Sequence, residues 1–223
     1  MPARPVLPTE LRRPLGLVAV FAGLTVIRLA ATYRAGDQLA SWDGKAMPLE
    51  GFEPPWRTFA LVVDFLGEPV GVVLVLAAVC GAALLLRRPR VAVLTVLAVG
   101  IGGAATTLIK PIVGRRIHGD FLAFPSGHTA TLTAIGFVVG LLLADRIGAG
   151  RRLGTLLVLG LATIGGAAMS YAETMLSAHY FTDTIGGYFV ALAIVPLVAV
   201  GVDWWADRLR RRDGQRQALL SRK

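Results

Sequence analysis

Cysteine is almost absent from this chain. Cys80 is the single one, inside an apolar run, so no intramolecular disulfide can form and a thiolate there would be poorly solvated. Redox chemistry is therefore not expected. Charge is scarce too, at 17% of residues, and there are only three histidines. A chain this poor in charge, with 55% hydrophobic residues and a mean hydropathy of +0.65, is too apolar for an ordinary soluble domain. Its 223 residues suffice for a handful of spans, and a single membrane domain over 1–223 is the expected organisation. The 23 basic residues outnumber the 14 acidic ones, giving a formal charge of +9. In a soluble protein that excess would suggest nucleic acid. Beside long apolar runs it is a topology signal instead, so no nucleic-acid partner is expected.

Apolar segments run near Pro14–Thr32, Gly71–Leu86, Val91–Ile109, Thr129–Ala144, Leu153–Tyr171 and Thr184–Val202. They predict an all-α polytopic membrane protein with six transmembrane helices. The first run has Arg28 within it and no clear small-residue cleavage site, so it reads as a retained anchor rather than a removed signal peptide. Six spans put both termini on one side. The N-terminus over 1–13, the Arg87/Arg88/Arg90 and Arg146/Arg151/Arg152 turns and the tail over 204–223 hold most of the basic residues, which assigns them to the cytoplasm. The tail follows Trp204-Trp205 and reads as an anchor against anionic membrane lipids. The other side receives the acidic stretch from Tyr33 to Glu68, the Lys110–His128 segment and the connection holding His179. Within the external loop over 33–70, Trp56–Leu66 is amphipathic and is expected to lie along the membrane surface. Glycines such as Gly100, Gly102, Gly103, Gly165, Gly166, Gly186 and Gly187 read as helix-packing positions.

The three histidines, His118, His128 and His179, all fall on or near the external face. Pro125-Ser126-Gly127 before an apolar run has the composition of a helix entrance, where unpaired N–H groups and the helix dipole favour an anion. Lys110, Arg115 and Arg116 arrive there from the preceding span with the positive charge that a phosphoryl group needs. His128 would stand beside that anion. His179 and Asp183 are four apart, on one face of a helical turn, where the carboxylate can fix the imidazole tautomer. A two-step chemistry follows. His179 attacks phosphorus while His128 protonates the leaving oxygen, and water activated by His128 then hydrolyses the phosphohistidine. It requires no metal or cofactor.

Pro125-Ser126-Gly127-His128, with His179-x-x-x-Asp183 downstream and Gly186-Gly187 after it, resembles the type 2 phosphatidic acid phosphatase superfamily of membrane lipid phosphatases. The motif region covers 110–187, and the six-span layout extends the similarity over most of the chain. The resemblance implies a lipid phosphatase in the cell membrane, acting on phosphatidate-like or polyprenyl (di)phosphate substrates from the extracytoplasmic side. It implies His128, His179 and Asp183 as catalytic, with Lys110, Arg115, Arg116, Ser126 and Gly127 binding phosphate.

Two positions depart from the superfamily signature of Lys-x6-Arg-Pro, Pro-Ser-Gly-His and Ser-Arg-x5-His-x3-Asp. Counting from Lys110 brings the first Arg-Pro onto Ile117-His118, just after Arg115 and Arg116, and a one-residue slip would let Arg116 serve. Counting back from His179 brings Ser-Arg onto Ala172-Glu173, a carboxylate where the family has a guanidinium. Glu173 would oppose phosphate, or pair with Arg115 or Arg116, or contact a hydroxyl or cationic part of the substrate. His118 is a second candidate modulator. A phosphotransferase using the same histidine, and a catalytically silent lipid-binding or transport protein, are the alternatives.

Overall fold

A computed structural model of the chain describes residues 4–34, Asp43 and 54–220. Of the external loop, Asp37, Glu50 and Glu53 lie outside the described residues, as do the first three residues and the last three of the tail. Helix α1 spans Thr9–Tyr33, α2 Trp56–Phe65 and α3 Pro69–Leu85. They are followed by α4 over Pro89–Val113, α5 over Gly127–Arg146, α6 over Arg151–Met175 and α7 over Phe181–Leu220. Proline at the first turn of α3 and α4 opens those helices, where its missing N–H costs no hydrogen bond.

Five of these helices, α1 and α4–α7, are long and apolar enough to cross a membrane. A sixth candidate is a bent pair: α2 and α3 meet at 73° and are long and apolar enough only together, as a broken span or a re-entrant loop. The amphipathic segment expected on the surface is thus the first arm of a bent unit. It buries Ala60 and Val63 and exposes Trp56, Phe59 and Phe65. The protein is an integral multi-pass membrane protein with an all-α fold, apart from one two-residue ladder.

Helix α5 is the axis of the bundle: most of its apolar length is buried, whereas α1, α4 and α6 leave most of theirs uncovered. Exposed Leu17, Phe21, Leu24 and Ile27 on α1 are the lipid-facing surface such a bundle presents. Since hydrocarbon gives no hydrophobic drive for helices to associate, close backbone contact must bind them. A Cβ on Gly136 would fall 2.3 Å from the Leu161 carbonyl oxygen, and one on Gly165 2.5 Å from that of Leu132, so α5 and α6 touch through glycine. Gly166, Gly186 and Gly187 sit at similar approaches. Gly100, Gly102 and Gly103 do not, since a Cβ there meets nothing within 4 Å, which corrects the packing role expected for them.

One end of the bundle is closed by ion pairs. The Asp203 carboxylate accepts the Val6 and Leu7 N–H groups at 2.8 and 3.1 Å and pairs with Arg90 at 3.2 Å, and Arg90 reaches Asp207 at 2.6 Å. Arg88 pairs with Asp145 at the foot of α5. The end of α4, the start of α5, the end of α6 and the start of α7 therefore converge at the opposite end.

Candidate active site

At that end the chain leaves α4 through Gly114, whose φ of 71° admits the left-handed turn and whose N–H donates to the Lys110 carbonyl. The turn sends Arg115 inward. The next residues form the antiparallel ladder, β1 over Arg116–Ile117 and β2 over Phe121–Leu122, in the register Arg116 to Leu122 and Ile117 to Phe121. The polar island between the spans is thus a hairpin, a feature not foreseen in the sequence. His118, at a φ of 51° in its turn, brings its Nε2 to 2.7 Å from the Ser177 carbonyl oxygen, tying the hairpin to the loop before His179.

Ser126 caps α5, its Oγ accepting the Thr129 N–H at 3.1 Å. Its own N–H donates to the Asp183 carbonyl at 3.0 Å. Helix α7 presses against this turn: a Cβ on Gly187 would lie 2.2 Å from the Ser126 carbonyl oxygen. Gly127 opens α5, and His128 follows, half-buried, its Nε2 3.6 Å from Glu68. The α2–α3 bend packs on that ring, since a Cβ on Gly67 would fall 2.2 Å from His128 Cδ2. Asp64 stands within electrostatic reach of His128, His179, Glu68 and Glu173.

His179 lies between two carboxylates. Its Nδ1 is 3.6 Å from Asp183 and its Nε2 3.6 Å from Glu173, each just beyond hydrogen-bond length. Asp183, 0% exposed, is held from behind: Oδ1 takes an Arg115 N–H at 2.6 Å and Oδ2 the Tyr180 N–H at 3.1 Å. Arg115, also 0% exposed, donates with its other terminal nitrogen to Asp43 at 2.5 Å. Its guanidinium lies over the rings of Tyr33 and Tyr180. Asp43 accepts in addition from the Thr182 N–H and hydroxyl. The anchor is therefore a buried carboxylate, arginine, carboxylate chain.

Glu173, 1% exposed, accepts the Ser126 hydroxyl at 2.6 and 2.8 Å and the Thr129 hydroxyl at 2.6 Å. The bond to Arg115 or Arg116 weighed from the sequence is not what its carboxylate makes. Lys110, partly buried, feels the fields of Glu173 and Asp183. Arg116 faces outward, 54% exposed, on Asp120 at 3.1 Å. Lys110, Arg115, Ser126, Gly127, His128, Glu173, His179 and Asp183 thus converge, and Arg116 stays at the rim.

Asp43, Thr129, Thr182, Asp64 and Glu68 join the site without having been singled out for it. Thr129 was within reach of motif reasoning, one residue after His128. Asp43 carried no local signal, because its partners are 72 and 139 residues away. Among the described residues no group of three or more His, Cys, Asp or Glu is arranged to hold a metal ion. Beside the site, a cavity of about 360 Å³ between α6 and α7 is lined by Thr129, Gly166, Ala167, Phe181, Tyr188 and Phe189.

A multi-pass helical bundle thus carries two histidines at converging helix ends, one of them backed by a buried carboxylate. The family model described as the PAP2 superfamily matches residues 70–207, and the chain belongs to that superfamily. The fold is similar to the crystal structure of the first transmembrane PAP2 type phosphatidylglycerolphosphate phosphatase from Bacillus subtilis. The TM-score is 0.65 at 18% identity, over 81% of this chain and 93% of that one. No curated protein sequence matches. Membership in this superfamily supports a lipid phosphatase.

Proposed function

We propose that the protein hydrolyses a phosphate ester or anhydride of a membrane lipid, phosphatidate-like or polyprenyl (di)phosphate, through a phosphohistidine on His179. The observation that carries this reading is His179 itself. One ring nitrogen faces a carboxylate locked by Arg115 and a backbone N–H, and the other lies 3.6 Å from Glu173, whose carboxylate holds the hydroxyls of Ser126 and Thr129 at the start of α5. With the Nδ1 proton directed at Asp183, the lone pair on Nε2 is the nucleophile. The Nε2–P bond forms as the bond from phosphorus to the leaving oxygen breaks, and His128 gives that oxygen its proton. Water then attacks the phosphohistidine, losing its proton to His128, and the N–P bond breaks. Lys110 and the capped start of α5 supply positive potential for the phosphoryl oxygens. Neither step calls on a metal or cofactor.

The cavity beside Thr129 suits a hydrocarbon chain, being lined by small and aromatic groups and reaching Thr129, the residue after His128. The basic residues at the far end, Arg12, Arg87, Arg88, Arg90, Arg151 and Arg152, support cytoplasmic termini and an extracytoplasmic site in the cell membrane.

The test is phosphate release by purified protein from phosphatidate, phosphatidylglycerophosphate and polyprenyl mono- and diphosphates. Release by the wild type and its loss in His179→Ala is the expected result. Release only when an acceptor alcohol is added indicates a transferase. Lipid binding without release, indifferent to His179→Ala, indicates a silent binding or transport protein and overturns the proposal.

A further inference from the structure

The site gathers less positive charge than its sequence promises. Arg115 donates its terminal nitrogens to Asp43 and Asp183 from a fully buried position. Arg116 turns to Asp120 at the surface. Glu173 stands with its carboxylate on the hydroxyls of Ser126 and Thr129, 3.6 Å from the nitrogen that would attack phosphorus. Asp64 and Glu68 face His128 from the α2–α3 bend. Lys110 lies in the field of both Glu173 and Asp183.

The charge of the reacting phosphorus should follow from this. A phosphate monoester carries about −1.5 to −2 at neutral pH because its second pKa is about 6. A phosphodiester has no second ionisable oxygen and carries a single charge. Next to a buried carboxylate, with low local polarity and little compensating cation, the added charge of a monoester is repelled strongly.

We infer that the site prefers a lipid phosphodiester, in which phosphorus bears one negative charge, over a terminal phosphate monoester, which narrows the proposed esters and ranks phosphatidate-like and polyprenyl phosphate substrates second, and that Glu173 sets this preference. The inference rests on the proposed attack by His179. The Nε2–P bond forms as one P–O ester bond breaks, and the departing alkoxide takes the His128 proton to leave as an alcohol. The phosphohistidine keeps the second ester. Water then adds to phosphorus, its proton passing to His128, the N–P bond breaks, and a phosphate monoester is released. As that product ionises, Glu173 repels it, so the group that rejects dianions also speeds product departure.

The experiment compares two soluble substrates with one leaving group, para-nitrophenyl hexyl phosphate and para-nitrophenyl phosphate, on full-length protein in detergent. The ratio of kcat/KM, diester over monoester, is expected on the order of 100 in the wild type. Glu173→Gln keeps the shape and can still accept from Ser126 and Thr129, and it should lower the ratio at least tenfold; Glu173→Arg should lower it further. A thermal melt of each variant checks folding, and Glu173→Gln alone decides the matter if Glu173→Arg does not fold. A wild type that favours the monoester, or a ratio unchanged in Glu173→Gln, overturns the inference and leaves the attack by His179 standing. Absence of turnover of both substrates and of every lipid overturns the attack by His179 and the preference together.

Discussion

Replacing Arg115 by alanine removes the cation shared by two buried carboxylates. Its terminal nitrogens lie 2.6 Å from Asp183 and 2.5 Å from Asp43, and neither carboxylate is exposed. Breaking a buried pair by deleting one partner costs about 3–5 kcal/mol, because the survivor keeps its desolvation penalty. Here two carboxylates are left, with the Thr182 hydroxyl also losing its Arg115 partner. At about 2–4 °C per kcal/mol for a chain of this size, the melting temperature in detergent should fall by about 10 °C. Activity should fall with it. Asp183 no longer has its orienting partner, and a displacement of about 1 Å in the group behind the nucleophile can cost about a hundredfold in kcat. Arg115→Lys keeps the charge but cannot span both carboxylates with a planar fork, so it should fall between. The assay is a thermal melt paired with kcat and KM for the best substrate. An Arg115→Ala protein that melts like the wild type and only raises KM would refute the buried clamp and make Arg115 a direct phosphate ligand.

Gly187→Ala puts a methyl 2.2 Å from the Ser126 carbonyl oxygen; at least about 1–3 kcal/mol of stability should be lost along with most activity. Gly160→Ala, where a Cβ meets nothing within 4 Å, should be neutral or stabilising in the same melts. Ala167→Trp fills the cavity between α6 and α7; kcat/KM for long-chain substrates should fall tenfold or more, while short soluble esters are hydrolysed as by the wild type. Equal losses on both would show damage to the fold rather than to chain binding. Asp203→Ala strips the Val6 and Leu7 N–H groups and Arg90 of their acceptor at the far end of the bundle. It should cost about 3 kcal/mol and leave substrate preference unchanged, as a melt and a substrate panel would show.

What could be read from the sequence was what is local. Each apolar run became a helix, and Pro125-Ser126-Gly127 read as a helix entrance because capping is decided within a few residues: Ser126 caps α5 through Thr129. His179 and Asp183 face each other because a helical turn brings residues four apart together. Partnership across the bundle was not legible. Asp43 counted only as loop acidity, yet it meets Arg115 and Thr182 across the fold. The hairpin was hidden because two-residue strands leave no periodicity. The 73° bend was hidden because hydropathy does not record direction. Glu173 could be flagged as a departure, but its hold on Ser126 and Thr129 depends on how α6 crosses α5, which glycines at the contact set.

The central claim is that His179 carries the phosphoryl group, and trapping the intermediate tests it most directly. Purified protein is mixed with a phosphorus-labelled lipid substrate, quenched within milliseconds in alkaline detergent, and assayed for protein-bound label. The account predicts label that is stable in base and lost in acid, as a phosphoramidate is, present in the wild type and absent in His179→Ala. Label retained in His179→Ala, or turnover by wild type with no labelled protein at any quench time, would contradict it.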